Sequence, residues 1–437
     1  MSDFSAVRVR QNQSLVFFVL KLFSQFVFLS IFLLLSGCGV DEPEVDVNRQ
    51  IESGRAYFLQ GQYRAALIGA ETALQAEEAN EAATVLLAQV YLAMGRPRAS
   101  IARLESINGT SKEYFETLAE SYINRRKYGS ALHLLRQNAK LFDESSVKYH
   151  LQNAAAYFGI DERDKAREYY AKAAEIEPKN VAAQLGMVKL EAVRGDLEKA
   201  RLTADDLLSK NPENLDILLV LSDIYIRQGD FENAETSLTE AIGALPVVDL
   251  FTKQRAQIMS ALVALLARQG RSGEALVYQR SLAEAFPMSA ENNGKFQDAI
   301  ASLKDGQIRG AARLLEEIMQ TAPGDEASGS LLGILRYFDG DFESANSYFE
   351  NSVDAEIAPP YVLRYMATNM YQLGQLGRIV RSLEGRIENS EDANLLAIYG
   401  VAALNASKEA EGIKALQRAI ALQPSNVRLT MILAQYY

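Results

Sequence analysis

Between Leu215 and Val248 apolar and small residues recur at three- and four-residue steps in two separate blocks. Leu218, Leu221, Ser222 and Tyr225 share one face of a first helix, and Phe231, Ala234, Leu238 and Ala241 share one face of a second. Gln228-Gly229-Asp230 interrupts the pattern. Glycine supplies the left-handed backbone that ends a helix. Asp230 is placed to cap the next helix, because its carboxylate accepts from free backbone amides. Pro246 cannot continue a helix and closes the unit. The pattern predicts an antiparallel helix–turn–helix hairpin.

The hairpin repeats. Ala166, Ala200 and Ala234 are 34 residues apart, as are Ala311 and Ala345, and Pro178, Pro212 and Pro246 keep the same spacing. A fixed period of this length marks a stack of small helical units. Looser copies keep the frame: Gly54, Tyr57, Gly61, Tyr63, Ala66 and Ala73 near the start, Leu332, Gly333, Gly340, Phe342, Ala345 and Phe349 further on. In the tenth copy Gly374 and Leu376 fit, but Ile379 stands where alanine is expected, and irregular packing is predicted there. Gly229 and Gly270 are 41 residues apart, seven more than the period. The stretch 249–269 reads as one long helix projecting beyond its neighbours.

The order of small, aromatic, glycine, aromatic, alanine, alanine and proline positions resembles the tetratricopeptide repeat family. The resemblance implies an all-α fold: an α-solenoid of about eleven hairpins forming a right-handed superhelix. The array spans residues 47–424, with residues 425–437 as the first helix of an incomplete further repeat. It also implies that the first helix of each hairpin lines a concave groove for a protein or peptide. The exposed groove positions then fall at Ile51 and Arg55, Val85 and Gln89, Glu116 and Glu120, Leu151 and Ala155, Leu185 and Lys189, Leu219 and Asp223, and Phe296 and Ile300.

Residues 1–37 differ in kind. Arg8 and Arg10 precede an apolar run from Leu15 to Leu35, followed by Ser36, Gly37 and Cys38. A basic start, an apolar core and small residues before a cleavage point predict a secretory signal. The run is also about long enough to span a bilayer as an uncleaved anchor. Leu35-Ser36-Gly37-Cys38 resembles the lipobox of bacterial lipoproteins, which implies acylation of Cys38 as the first mature residue. Gly39, in place of aspartate, implies export to the outer membrane by the same resemblance. Residues 38–46 form a short acidic tether.

The chain carries a net charge of −11. Residues 1–37 hold Arg8, Arg10, Lys21 and Asp3, so the remainder is near −13. An acidic body argues against nucleic acid as partner. Cys38 is the single cysteine, which leaves no intramolecular disulfide and no cysteine metal cluster. Of the two histidines, His133 lies on a second helix and His150 at a packing position. Adjacent carboxylates such as Asp205-Asp206 and Glu316-Glu317 point about 100° apart on a helix and read as solvated face. No nucleophile, base or metal constellation is assembled, so no enzyme, cofactor, metal site or small-molecule substrate is expected.

The segment from Val427 onward repeats the frame of Leu87-Ala88-Gln89 with only Arg428 charged. A terminal repeat needs a polar outer face, so a longer repeat protein or a partner covering this end is expected. Together these readings give a lipid-anchored periplasmic interaction scaffold for other envelope proteins. Tetratricopeptide lipoproteins of this build resemble those of exopolysaccharide and exosortase-associated systems, which implies surface polymer export or assembly. A chaperone-like holdase for exported polypeptides is the alternative.

Overall fold

The computed structural model describes residues 46–388 and 390–434, in which the chain forms twenty-three α-helices and no strand. Twenty-two of them pair as hairpins. The first six pairs are α1 (Val47–Leu59) with α2 (Tyr63–Ala76), α3 (Glu81–Ala93) with α4 (Pro97–Glu105), α5 (Lys112–Asn124) with α6 (Tyr128–Gln137), α7 (Val147–Gly159) with α8 (Arg163–Ile176), α9 (Val181–Arg194) with α10 (Leu197–Lys210), and α11 (Leu215–Gln228) with α12 (Phe231–Gly243). Five more follow: α13 (Lys253–Arg268) with α14 (Ser272–Ala285), α15 (Pro287–Lys304) with α16 (Ile308–Thr321), α17 (Glu326–Phe338) with α18 (Phe342–Ser352), α19 (Pro360–Gln372) with α20 (Leu376–Ile387), and α21 (Ala393–Asn405) with α22 (Glu409–Leu422). A last helix, α23 (Val427–Ala434), opens a twelfth unit. The signal segment, Cys38 and most of the tether lie outside the described residues. Asp46 caps α1, accepting from the Arg49 amide at 3.0 Å.

The hairpins form where small residues let helices approach. Ala66, Ala166, Ala200, Ala234, Ala311 and Ala345 are all fully buried. Larger side chains there would overpack by about 1–3 kcal/mol. Leucines and aromatics fill the space between hairpins. Leu218, Leu238, Ile258 and Leu262 pack α11, α12 and α13 into one cluster. Each such side chain contributes roughly 1.5–3 kcal/mol when fully buried. Ile379 is fully buried in the cluster joining hairpins 9 to 11, so the tenth hairpin is present with isoleucine at its crossing.

Eight hairpin turns use glycine with positive φ, among them Gly229 at +80°. The other three place Arg126, Asp161 and Ser407 in the same left-handed conformation. Asp230 caps α12 as expected, accepting from the Asn233 amide at 3.2 Å.

The stretch 249–269 is not one helix. Helix α13 starts only at Lys253, behind the cap Thr252, and residues 245–252 run without helix. The physical reason is a competing use for the segment. Asp249 turns its carboxylate to the first hairpin and accepts from the amides of Tyr63 at 2.9 Å and Arg64 at 3.1 Å. Beside it, a Cβ on Gly61 would lie 2.8 Å from Cγ1 of Val248. The solenoid therefore winds far enough for its first hairpins to touch its later ones. Arg98 donates to the carbonyls of Gly324 and Asn351, Arg125 pairs with Glu326, and Lys127 lies 3.4 Å from Asp354.

Candidate interaction surface

Consecutive first helices pack on one another, α1 on α3 and so on to α11, then α17 to α21, while second helices make no comparable contact. The first helices thus lie on the tighter, inner wall of the curve. Residues at matching places along them meet across hairpins.

Three of the expected groove positions are not open. Ile51, Val85 and Leu185 are buried at 6%, 1% and 3% exposure. Each points into the gap to the next first helix: Ile51 clusters with Leu86 and Leu87, Val85 with Tyr114 and Leu118, Leu185 with Ile217 and Leu221. The side chains four residues later do reach the wall. Arg55 and Gln89 are half-buried, Lys189 and Asp223 exposed. Glu116, Glu120, Leu151, Ala155, Leu219, Phe296 and Ile300 are half-buried.

The polar residues form a chain of contacts. Arg55 donates to Oε2 of Glu113 at 2.7 Å, and Gln89 donates to its Oε1 at 3.1 Å, so one carboxylate ties three hairpins. Lys148 lies 3.2 Å from Glu116 and 3.9 Å from Glu120. The wall of hairpins 1 to 4 is therefore largely self-paired. Further along, Lys189 is attracted by Asp216 and Asp223 of the next hairpin. Lys189 is open to solvent, yet desolvation by the surrounding wall holds its ammonium below the ordinary lysine value, against the pull of Asp216 and Asp223. Lys253 is lowered in the same way, with Glu120 and Asp216 opposing.

Sequence reasoning missed Glu113, Lys148 and Asp216. Glu113 and Asp216 each lie three residues before a groove position on the same helix face, which is the signal that could have found them. It also missed an aromatic group on hairpins 9 and 10. Phe338, Tyr361 and Tyr371 are 67%, 55% and 47% exposed. Tyr365 stands 5.4 Å from Phe338 and 5.8 Å from Tyr337 between ring centroids.

The wall can offer ion pairs, hydrogen bonds and ring faces to a bound chain. His150 is 8% exposed, holds the Glu144 carbonyl at 2.7 Å and sits between Tyr149 and Tyr169, a packing role. Among the described residues no group of His, Cys, Asp or Glu could hold a metal ion. No helix among them is long and apolar enough to cross a membrane.

Tetratricopeptide repeat family models match residues 148–180, 185–249 and 219–290. The matched stretch, residues 148–180 and 185–290, thus reads as tetratricopeptide repeats. No curated protein matches. Among solved structures, the APC/C hetero-tetramer Cut9-Hcn1 is similar at 14% identity and TM-score 0.31, over 89% of this chain and 96% of that one. A thermophilic tetratricopeptide protein of Thermus thermophilus is similar at 17% identity and TM-score 0.28, over 50% and 99%. MamA AMB-1 is similar at 20% identity and TM-score 0.26, over 39% and 96%.

Proposed function

We propose that the protein is a lipid-anchored scaffold of the bacterial envelope. Cys38 carries the acyl anchor, and the acidic tether holds the repeat array at the periplasmic face of the outer membrane. The inner wall docks other envelope proteins or peptides, and the pathway served is export or assembly of surface polysaccharide. Support for the anchor comes from the single cysteine at the end of a signal-like leader. The observation that carries the docking surface is the run of first helices forming one wall, with exposed charge at Lys189, Asp216 and Asp223.

A holdase is the second reading, favoured by the exposed rings of Phe338, Tyr361 and Tyr371. Exposed apolar surface of that kind can retain unfolded segments. Crosslinking in intact cells followed by purification from membranes separates the two. A scaffold returns one or two partners in fixed stoichiometry, while a holdase returns many clients at low occupancy. Recovery of the protein alone, from cells in which it is folded, contradicts both.

A further inference from the structure

The contacts between early and late hairpins differ in kind from those between neighbours. Neighbouring hairpins share fully buried apolar clusters such as Leu218, Leu238, Ile258 and Leu262. The seam between turns is polar. Asp249 accepts two hydrogen bonds from the first turn of α2, whose own N-cap residue, Gln62, makes no side-chain capping bond. Glu356 does the same for α6, accepting from the Ser130 amide at 2.8 Å and from its hydroxyl, where the local N-cap Lys127 gives no side-chain capping bond. Two helices are thus capped by carboxylates from the other turn of the superhelix. Lys253 donates to Asn124, and Lys127 also approaches Glu356 at 4.0 Å. A cavity of about 400 Å³ with mixed polar and apolar walls lies within the seam, its charged lining Arg98, Arg125, Lys127, Glu326, Glu350 and Asp354.

Part-exposed ion pairs and caps stabilise little and are screened by salt, whereas apolar interfaces are not. The weakest joint of the array is then the seam. We propose that the seam is a latch: hairpins 1 to 3 close onto hairpins 7 to 10 through Asp249, Glu356 and their partners, and release of these contacts widens the space in front of the first helices while every hairpin stays folded. The consequence for docking rests on the inner wall being the binding surface. The latch itself does not.

The test uses the full chain with Cys38→Ser, so that introduced thiols are the only ones. Asp249→Ala with Glu356→Ala weakens the latch. Gly61→Cys with Val248→Cys locks it, since a Cβ at Gly61 lies 3.7 Å from Cβ of Val248, within the disulfide range. X-ray scattering reads the dimensions at low and high salt, and circular dichroism reads helicity. The weakened variant is expected to expand at unchanged helicity, the parent to expand only at high salt, and the oxidised lock to stay compact at both. Equal dimensions for parent and weakened variant in all salts overturn the latch, and so does expansion accompanied by lost helicity. Access is read with Lys189→Cys added to the parent and to the weakened variant. A bulky polyethylene-glycol maleimide should react severalfold faster in the weakened variant, while a small maleimide reacts equally in both. An unchanged ratio overturns the gating. Failure of the small reagent to reach position 189 instead contradicts the inner-wall reading and leaves the scattering result to judge the latch.

Discussion

The ring of Tyr170 on α8 packs directly against Gly186 on α9: a Cβ added to Gly186 would stand 2.2 Å from Cε1 of Tyr170. Tyr170 is itself buried among Ala154, Ala166 and Leu190, so it has no room to withdraw. Gly186→Ala is expected to destabilise the protein by about 1–3 kcal/mol through overpacking, despite alanine's advantage in a helix. Gly385, near the end of α20, meets nothing within 4 Å of such a Cβ. Gly385→Ala should stabilise by roughly 0.4–1 kcal/mol. Urea unfolding midpoints of the two variants should move in opposite directions, and a stabilised Gly186→Ala would refute the packing assigned here.

Burial pushes the Tyr170 phenol up from 10.0 to about 12. The neutral form is the one the fold favours. Its contribution is complete below pH 10 and is lost as pH rises through the folded value near 12. The difference in tyrosinate absorbance between the parent and Tyr170→Phe should therefore titrate near pH 12 while the helices persist. A difference curve centred at the ordinary value would show the ring to be solvated.

Ser407 occupies the left-handed place, φ +61°, that glycine fills in eight other hairpins. A non-glycine residue there is strained by about 1–2 kcal/mol, offset in part by the greater freedom glycine has in the unfolded chain. Ser407→Gly should raise stability by up to about 1 kcal/mol. Thermal denaturation checks it: a lowered midpoint would mean that the Ser407 side chain stabilises the turn by more than its backbone costs.

The hairpin frame was legible because it rests on local chemistry. Ala200 and Ala234 must be small where helices cross, and Gly195 and Gly229 must turn left-handed, so both leave periodic marks in the chain. The inner wall was legible only in part. Ile51, Val85 and Leu185 occupy the expected helix positions, but the next first helix covers them, and that depends on the curvature of the stack. The seam left no mark at all. Asp249 and Tyr63 are 186 residues apart, and nothing in either neighbourhood signals the other. For the same reason the helical pattern of the sequence at Asp249 does not show that its carboxylate serves a distant helix.

Acylation at Cys38 carries its own prediction. Cys38→Ser should abolish incorporation of labelled fatty acid and leave the leader uncut or the repeat array in the soluble fraction. A variant that loses its leader and still sediments with membranes would remove the lipid anchor from the account.

The most direct test of the docking surface places a photo-crosslinking residue at Lys189 or Asp223 on the inner wall, and at Leu202 on α10, a second helix, as control. Leu202 is 55% exposed, so accessibility alone does not separate the sites. Illumination of intact cells should give discrete adducts of defined mass from positions 189 and 223 and none from 202. Adducts arising only from position 202, with none from the inner wall, would contradict the claim that the first helices form the surface on which partners dock.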